Sequence, residues 1–209
     1  MDRCMAMEDK EFRYKNELVQ EALKEFAEKG FDSASLNQII KRSGISKGSF
    51  YHHFDNKETL FSSVVQRVAD EKLAFINQWL QQQGNGIKTA GFFEILQLQM
   101  EGGVEFALQY PELNQFLMSI LKNPELMAKA EELSPRYYDE VFDPLIKDAV
   151  ERGELRSDLE PNFMKQLIKY SLMNMGEIML ENIGDELNKE ELMEQSRQFL
   201  DFLQHGLKA

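Results

Sequence analysis

One short run holds the residues best suited to chemistry: Ile45-Ser46-Lys47-Gly48-Ser49-Phe50-Tyr51-His52-His53-Phe54. On a helical wheel at about 100° per residue, Phe50 and Phe54 fall together and face inward. Gly48, Ser49 and His52 lie opposite them, and Tyr51 and His53 take the flanks. No nucleophile is paired with a base, so the chemistry on offer is hydrogen bonding and charge rather than bond making. Ser49 and His52 suit the base edges of a groove, while Tyr51 and His53 suit the strands beside it. Gly48 lets the helix backbone come close. Lys47, in the first turn, reaches toward a base edge or a phosphate, and Ser46 caps the helix. Lys57 opens the following helix, where free N–H groups and a cation together attract an anion, and Ser35 opens the preceding one in the same way. Ser35, Ser46, Lys47, Gly48, Ser49, Tyr51, His52, His53 and Lys57 are therefore the candidate DNA contacts. Plainer roles stand beside these. His52 and His53 are conceivable metal ligands, although neighbours on a helix point about 100° apart. Tyr51 also fits a core aromatic, and Lys57 a solvated lysine.

The elements that must position this run read as helices throughout. Residues 13–29 repeat apolar positions at Leu18, Ala22 and Phe26 and at Val19, Leu23 and Ala27, and Gly30 is a natural stop. Ser35 with Gln38 fits a capping box that opens a short helix with Leu36, Ile39 and Ile40 inward. Gly44 ends it. Helices 35–43 and 46–54, joined by that glycine turn, make a helix-turn-helix. A long helix follows over 57–82, with a stripe of Leu60, Phe61, Val64, Val65, Val68, the Lys72 stem, Leu73, Ile76, Trp79 and Leu80. Further helices are predicted near 88–109, 112–122, 124–133, 135–152, 161–183 and 189–206. Pro144 should kink its stretch, and Gly102-Gly103 should weaken theirs.

The bulk composition narrows the classes. The 209 residues are 43% hydrophobic and 29% charged, an ordinary globular balance. No unbroken apolar run exceeds four residues, well short of the roughly 18 that suggest a membrane span. The charged opening Met1-Asp2-Arg3-Cys4 lacks a signal core, and the lone cysteine, expected in a disordered leader, suits a reducing cytoplasm. A net charge of −12 argues against a generic nucleic-acid binder. Yet residues 33–57 set Lys41, Arg42, Lys47 and Lys57 against Asp55 alone. That basic island directs phosphate binding to one end of an acidic chain.

Residues 13–60 resemble the N-terminal domain of the TetR family of bacterial transcription regulators. The resemblance rests on Ala22, Phe26, Gly30, Phe31, Ile39, the run from Ser43 to Tyr51, His53-Phe54 and Lys57-Glu58-Thr59-Leu60. Ser33-Ala34-Ser35 stands where the family often has threonines, and serine keeps the cap and the hydroxyl. The resemblance implies an all-α fold: a three-helix helix-turn-helix head over 10–56 and a larger helical body over 57–209 for ligand binding and dimerisation. It implies a homodimer on a near-palindromic operator, a small-molecule effector, no catalytic activity and no cofactor or metal.

In the body the residues alone leave more open. Helix 161–183 is apolar on two faces, one holding Phe163, Leu167, Ser171, Met175 and Ile178, and the last helix carries Phe199 and Leu203. Two such helices from each of two subunits would form a four-helix interface, unless the second face packs inside the monomer. Trp79, Phe93, Leu96, Met100, Tyr137, Phe142, Met173 and Glu177 are the candidate pocket residues, on the strength of large adaptable side chains with a few polar anchors. The same residues also fit a plain core. The two rival classes are an all-helical interaction module without DNA binding and an all-α enzyme. The enzyme lacks a phosphate loop, metal spacing or a nucleophile–base pair.

Overall fold

The computed structural model describes the backbone of residues 2–84, 90–121, 123–133, 136–181 and 188–208, and side chains within 16–84, 90–121, 123–128, 143–172 and 188–208. The described chain is all-α. Its helices are α1 (Asp2–Ser33), α2 (Leu36–Arg42), α3 (Lys47–His53), α4 (Lys57–Gln82), α5 (Phe92–Gln109), α6 (Pro111–Leu121), α7 (Pro124–Leu133), α8 (Arg136–Glu151), α9 (Pro161–Glu181) and α10 (Lys189–Leu207). The expected leader around Cys4 is helical instead. Residues 2–29 hold no proline or glycine and are rich in Met, Ala, Glu and Lys, so nothing stops α1 from starting early. Gly30, with φ 71° and ψ 172°, breaks α1 where the stop was expected.

Two compact units emerge, and they do not divide at a single boundary after residue 56. Unit 1 comprises Met1–Asp70 and Glu112–Leu133; unit 2 comprises Glu71–Pro111 and Ser134–Ala209. The core of unit 1 joins Leu18, Ala22 and Phe26 of α1, Ile39 and Ile40 of α2, Phe50 of α3 and the first half of α4 from Leu60 to Val68. Phe116 and Ile120 of α6 and Leu126 of α7 close it. Phe61 is the hinge of its aromatic packing, edge-on to Phe26 at 5.2 Å and to Phe116 at 5.7 Å between centroids.

The core of unit 2 joins Phe92, Leu96 and Met100 of α5, Ile146 and Ala149 of α8, Met164 and Ile168 of α9, and Leu200, Leu203 and Leu207 of α10. Helix α5 passes unbroken through Gly102-Gly103, and α8 continues through Pro144. Gly102 has a packing reason to be there. A Cβ on it would lie 2.8 Å from Trp79 Cδ1 and 3.0 Å from Ile76 Cδ1, so its bare backbone admits two α4 side chains. Glu154 caps α5 by accepting the Phe92 N–H at 2.5 Å, and Arg152 holds that carboxylate at 3.0 Å.

Candidate nucleic-acid interface

The reading run is held by local caps. Ser46 takes extended backbone and its Oγ accepts the Ser49 N–H at 3.0 Å, which starts α3. Ser35 does the same for α2, accepting from Gln38 N–H at 3.4 Å. Gly44, at φ 70°, makes the left-handed turn between the two helices that other residues strain to adopt. Phe50 is sealed in the core and stacks on Phe54 at 5.7 Å, fixing which side of α3 faces out.

On the outward side Tyr51 is 58% exposed, its ring edge-on to Phe50 at 5.1 Å. Its body is therefore supported while its hydroxyl end is open. Lys47, Gly48, His52 and His53 are exposed as well, and the two imidazoles meet edge-on at 5.0 Å. Ser49 is half-buried, less open than the wheel put it, because its N–H side leans on the Ser46 cap. Among the described residues no group of three or more His, Cys, Asp or Glu could hold a metal.

Lys57 has a role that the sequence reading did not assign. Its ammonium donates to the carbonyls of Phe31 (2.8 Å), Asp32 (3.2 Å) and Ala34 (3.2 Å), and sits 4.6 Å from the Phe31 ring centroid. Those carbonyls lie at the frayed end of α1, where helix oxygens lack partners, so Lys57 fastens the start of α4 to that end. A reciprocal cap completes the α4 start: Thr59 N–H donates to Asn56 Oδ1 at 2.8 Å, and Asn56 N–H to Thr59 Oγ1 at 3.2 Å.

Glu25 is the second anchor the sequence did not reveal. Its side chain is 0% exposed, yet it accepts from Lys29 (2.6 Å), Arg42 (3.0 Å) and the Ser35 N–H (3.1 Å). The Lys29 hydrogen bond, more than the Ser35 N–H and the two cationic charges, holds its carboxyl below the ordinary range against the cost of burial. One carboxylate thus ties α1 to both ends of α2. Of the four cations in the basic island, Arg42 and Lys57 are engaged inside unit 1. Lys41 and Lys47 are exposed, with no ion-pair partner among the described residues.

The residues singled out in the body separate. Leu96 and Met100 are buried in the unit 2 core and Phe93 packs against it. Trp79 is half-buried, on α4 against Gly102. Tyr137, Phe142, Met173 and Glu177 lie outside the described side chains, as do Met175 and Ile178. Phe163 is 56% exposed and Leu167 also open, with Ser171 half-buried beside them. Phe199 packs on the unit 2 core, and Leu203, 3% exposed, lies within it. Leu203 is thus spent inside its own unit, and its neighbour Phe202, 75% exposed, is the outward apolar residue of α10. No described helix is long and apolar enough to cross a membrane.

Comparison with known proteins agrees with this geometry. The sequence model of the family described as bacterial regulatory proteins, tetR family, matches residues 12–64. The chain is 25% identical over 134 residues to the biofilm operon icaADBC HTH-type negative transcriptional regulator IcaR of Staphylococcus epidermidis, covering 62% of this chain and 70% of that one. It is 26% identical over 145 residues to the HTH-type transcriptional regulator UidR of Escherichia coli K12, covering 68% and 69%. In fold it is similar to a TetR-family regulator from Shewanella sp. PV-4, with TM-score 0.74, 15% identity and 94% and 98% coverage. It is also similar to FadR of Bacillus subtilis, solved in complex with stearoyl-CoA, with TM-score 0.70, 21% identity and 91% and 97% coverage. The helix-turn-helix geometry and the family match fall on the same residues: residues 12–64 match the DNA-binding domain of the tetR family, and the chain as a whole is similar in sequence and fold to regulators of that kind.

Proposed function

We propose that this protein is a TetR-family transcription regulator, a cytoplasmic repressor that binds a near-palindromic operator as a homodimer, each head setting residues 46–54 in the major groove of one half-site. The observation that carries the reading is the outward side of α3. Lys47, Gly48, Tyr51, His52 and His53 are open on a helix whose other side is locked by Phe50. In this reading residues 10–56 bind DNA, while 57–209 bind an effector and dimerise. The exposed Phe163 and Leu167 of α9 support a subunit contact there. A small, largely apolar molecule in the body releases DNA by favouring a state of α4 that sets the two heads at the wrong spacing, which requires differential affinity for the two states. The word "negative" in the name of the Staphylococcus relative and the acyl-CoA bound to the Bacillus FadR support the repressor and effector parts of this reading.

The test is binding to fragments of the source genome, followed by footprinting of those selected. A two-fold footprint with half-site centres about one helical turn, roughly 34–36 Å, apart is expected. Tyr51→Ala should lose roughly 1–3 kcal/mol of operator binding with unchanged circular dichroism. No salt-dependent binding to any fragment would overturn the reading in favour of an interaction module.

A further inference from the structure

The chain has three histidines, and two of them stand side by side on α3. His52 and His53 are both exposed, and their rings meet edge-on at 5.0 Å between centroids. They lie in the last turn of the helix, where carbonyls run out of partners and a positive charge is favoured. Histidine is the side chain whose charge ordinarily changes between about pH 5 and 8. A neutral imidazole offers one donor and one acceptor, an imidazolium two donors and a unit charge. Phosphate oxygens and the N7 and O6 of guanine only accept, so the charged form suits both.

The rest of the head gives that charge weight. The elements that flank α3 carry Lys41 and Arg42 at the end of α2, Asp55 in the turn after α3, and Lys57 and Glu58 at the start of α4, while α3 itself adds Lys47 and Tyr51. Arg42 is spent, with Lys29, on Glu25 of α1, and Lys57 on the carbonyls of Phe31, Asp32 and Ala34. The Asp32, Asp55 and Glu58 carboxylates belong to exposed residues, and water screens what they do to a nearby cation. Lys41 and Lys47 are the fixed cations left open in the basic island, a small supply for a chain of net charge −12 approaching a polyanion. Protonating both imidazoles doubles it.

Resting on the reading of α3 as the DNA-facing helix, we propose that His52 and His53 enter the DNA complex as imidazolium ions, so that operator binding takes up protons and tightens as pH falls through the neutral range. The proton is then an effector in its own right, acting at the head and apart from any molecule held in the body. By linkage, DNA raises the affinity of the pair for protons by the same factor that protons raise its affinity for DNA. The third histidine, His205, is on α10 in unit 2, with its Nδ1 2.8 Å from the Asp201 carbonyl oxygen, and takes no part.

The test uses the full chain and a genomic fragment selected for binding at pH 6.0, then titrated at pH 6.0 and 8.0 in the same salt. The wild type should bind at least about tenfold more tightly at pH 6.0, since each proton taken up is worth up to about tenfold per pH unit. Calorimetry in two buffers of different ionisation heat should show protons taken up on binding. At pH 6.0 the logarithm of affinity should also fall more steeply with the logarithm of salt, by about 0.9 for each histidine that meets a phosphate. A change of fold would not add that slope. The double variant His52→Gln with His53→Gln should lose the pH dependence, and His205→Gln should keep it. If the glutamine pair abolishes binding, His52→Arg with His53→Arg restores fixed charge and should bind alike at both pH values. The proposal is overturned if the wild type binds equally at pH 6.0 and 8.0, if no protons are taken up, or if the pH dependence survives in the double variants. No binding to any fragment at either pH would overturn the DNA-facing reading of α3 itself, and this proposal with it.

Discussion

The two units treat their inward polar groups in opposite ways. In unit 1 every such group described above is answered: Glu25 by Lys29, Arg42 and the Ser35 N–H, Lys57 by three carbonyls, and the Ser43 hydroxyl by the Ile40 carbonyl at 3.0 Å. In unit 2 the Trp79 N–H and Gln195 Oε1 are enclosed without a hydrogen-bond partner among the described residues. A closed hydrogen-bond account rigidifies a surface that must arrive at its target preformed. An open one leaves energy to be gained when something else arrives. The contrast fits the proposed division of labour, a head that presents a fixed helix and a body that responds.

The contrast breaks most visibly at Lys57. Lys57→Met should destabilise unit 1 by about 2–4 kcal/mol, because three charge-assisted hydrogen bonds go and the end of α1 is left open. Urea titration of the whole chain, followed by helicity, measures it. If the variant unfolds like the wild type and only loses DNA affinity, Lys57 is a phosphate contact and the closed account of unit 1 is wrong.

Glu25→Gln comes next, at roughly 1–3 kcal/mol, moderated because Lys29 and Arg42 are partly open to water. Its pH dependence has a definite sign. The folded pKa lies below the ordinary glutamate value of 4.5, so the stabilisation is fully present above that value. It fades as pH falls below 4.5 and is gone once pH passes beneath the folded value. Wild type and Glu25→Gln should therefore differ in thermal midpoint at neutral pH and converge in acid. Parallel curves down to low pH would remove Glu25 as the tie between α1 and α2.

These two anchors also mark where the sequence stopped being readable. The caps at Ser35 and Ser46, the Gly44 turn and the inward pair Phe50 and Phe54 act over a few residues, and local spacing reveals them. Glu25 meets Arg42 across 17 positions and Lys57 meets Phe31 across 26, and no periodicity carries that information. Phe116, Ile120 and Leu126 announce an inward side by spacing, but not that this side completes the core of unit 1 rather than the body. Lys72 stood in the α4 stripe from the start. In the structure it is half-buried, as a snorkelling stem is.

A smaller effect is expected at Gly102. An alanine there gains about 1 kcal/mol of helix propensity but forces Trp79 and Ile76 back, at about 1–3 kcal/mol for overpacking. The net loss should be about 1 kcal/mol, with a shift in Trp79 emission in the folded protein. Unchanged emission would mean that the indole does not rest on the α5 backbone.

Gly48 is the counterpart, and its effect on stability should be the smallest. A Cβ there meets only Ser46 Oγ, at 3.8 Å, so alanine fits, and the more helix-prone residue should stabilise α3 by up to about 0.5 kcal/mol. Nothing inside unit 1 requires a glycine at that position. If the outward side of α3 lies against DNA, the added methyl stands between the helix backbone and the groove, and operator affinity should fall even as the melting temperature holds or rises. A mobility-shift titration beside a thermal melt separates the two. Stability and affinity that both stay level would show that the backbone at Gly48 does not approach the duplex, and would move the closest contact of α3 toward Tyr51 and His52.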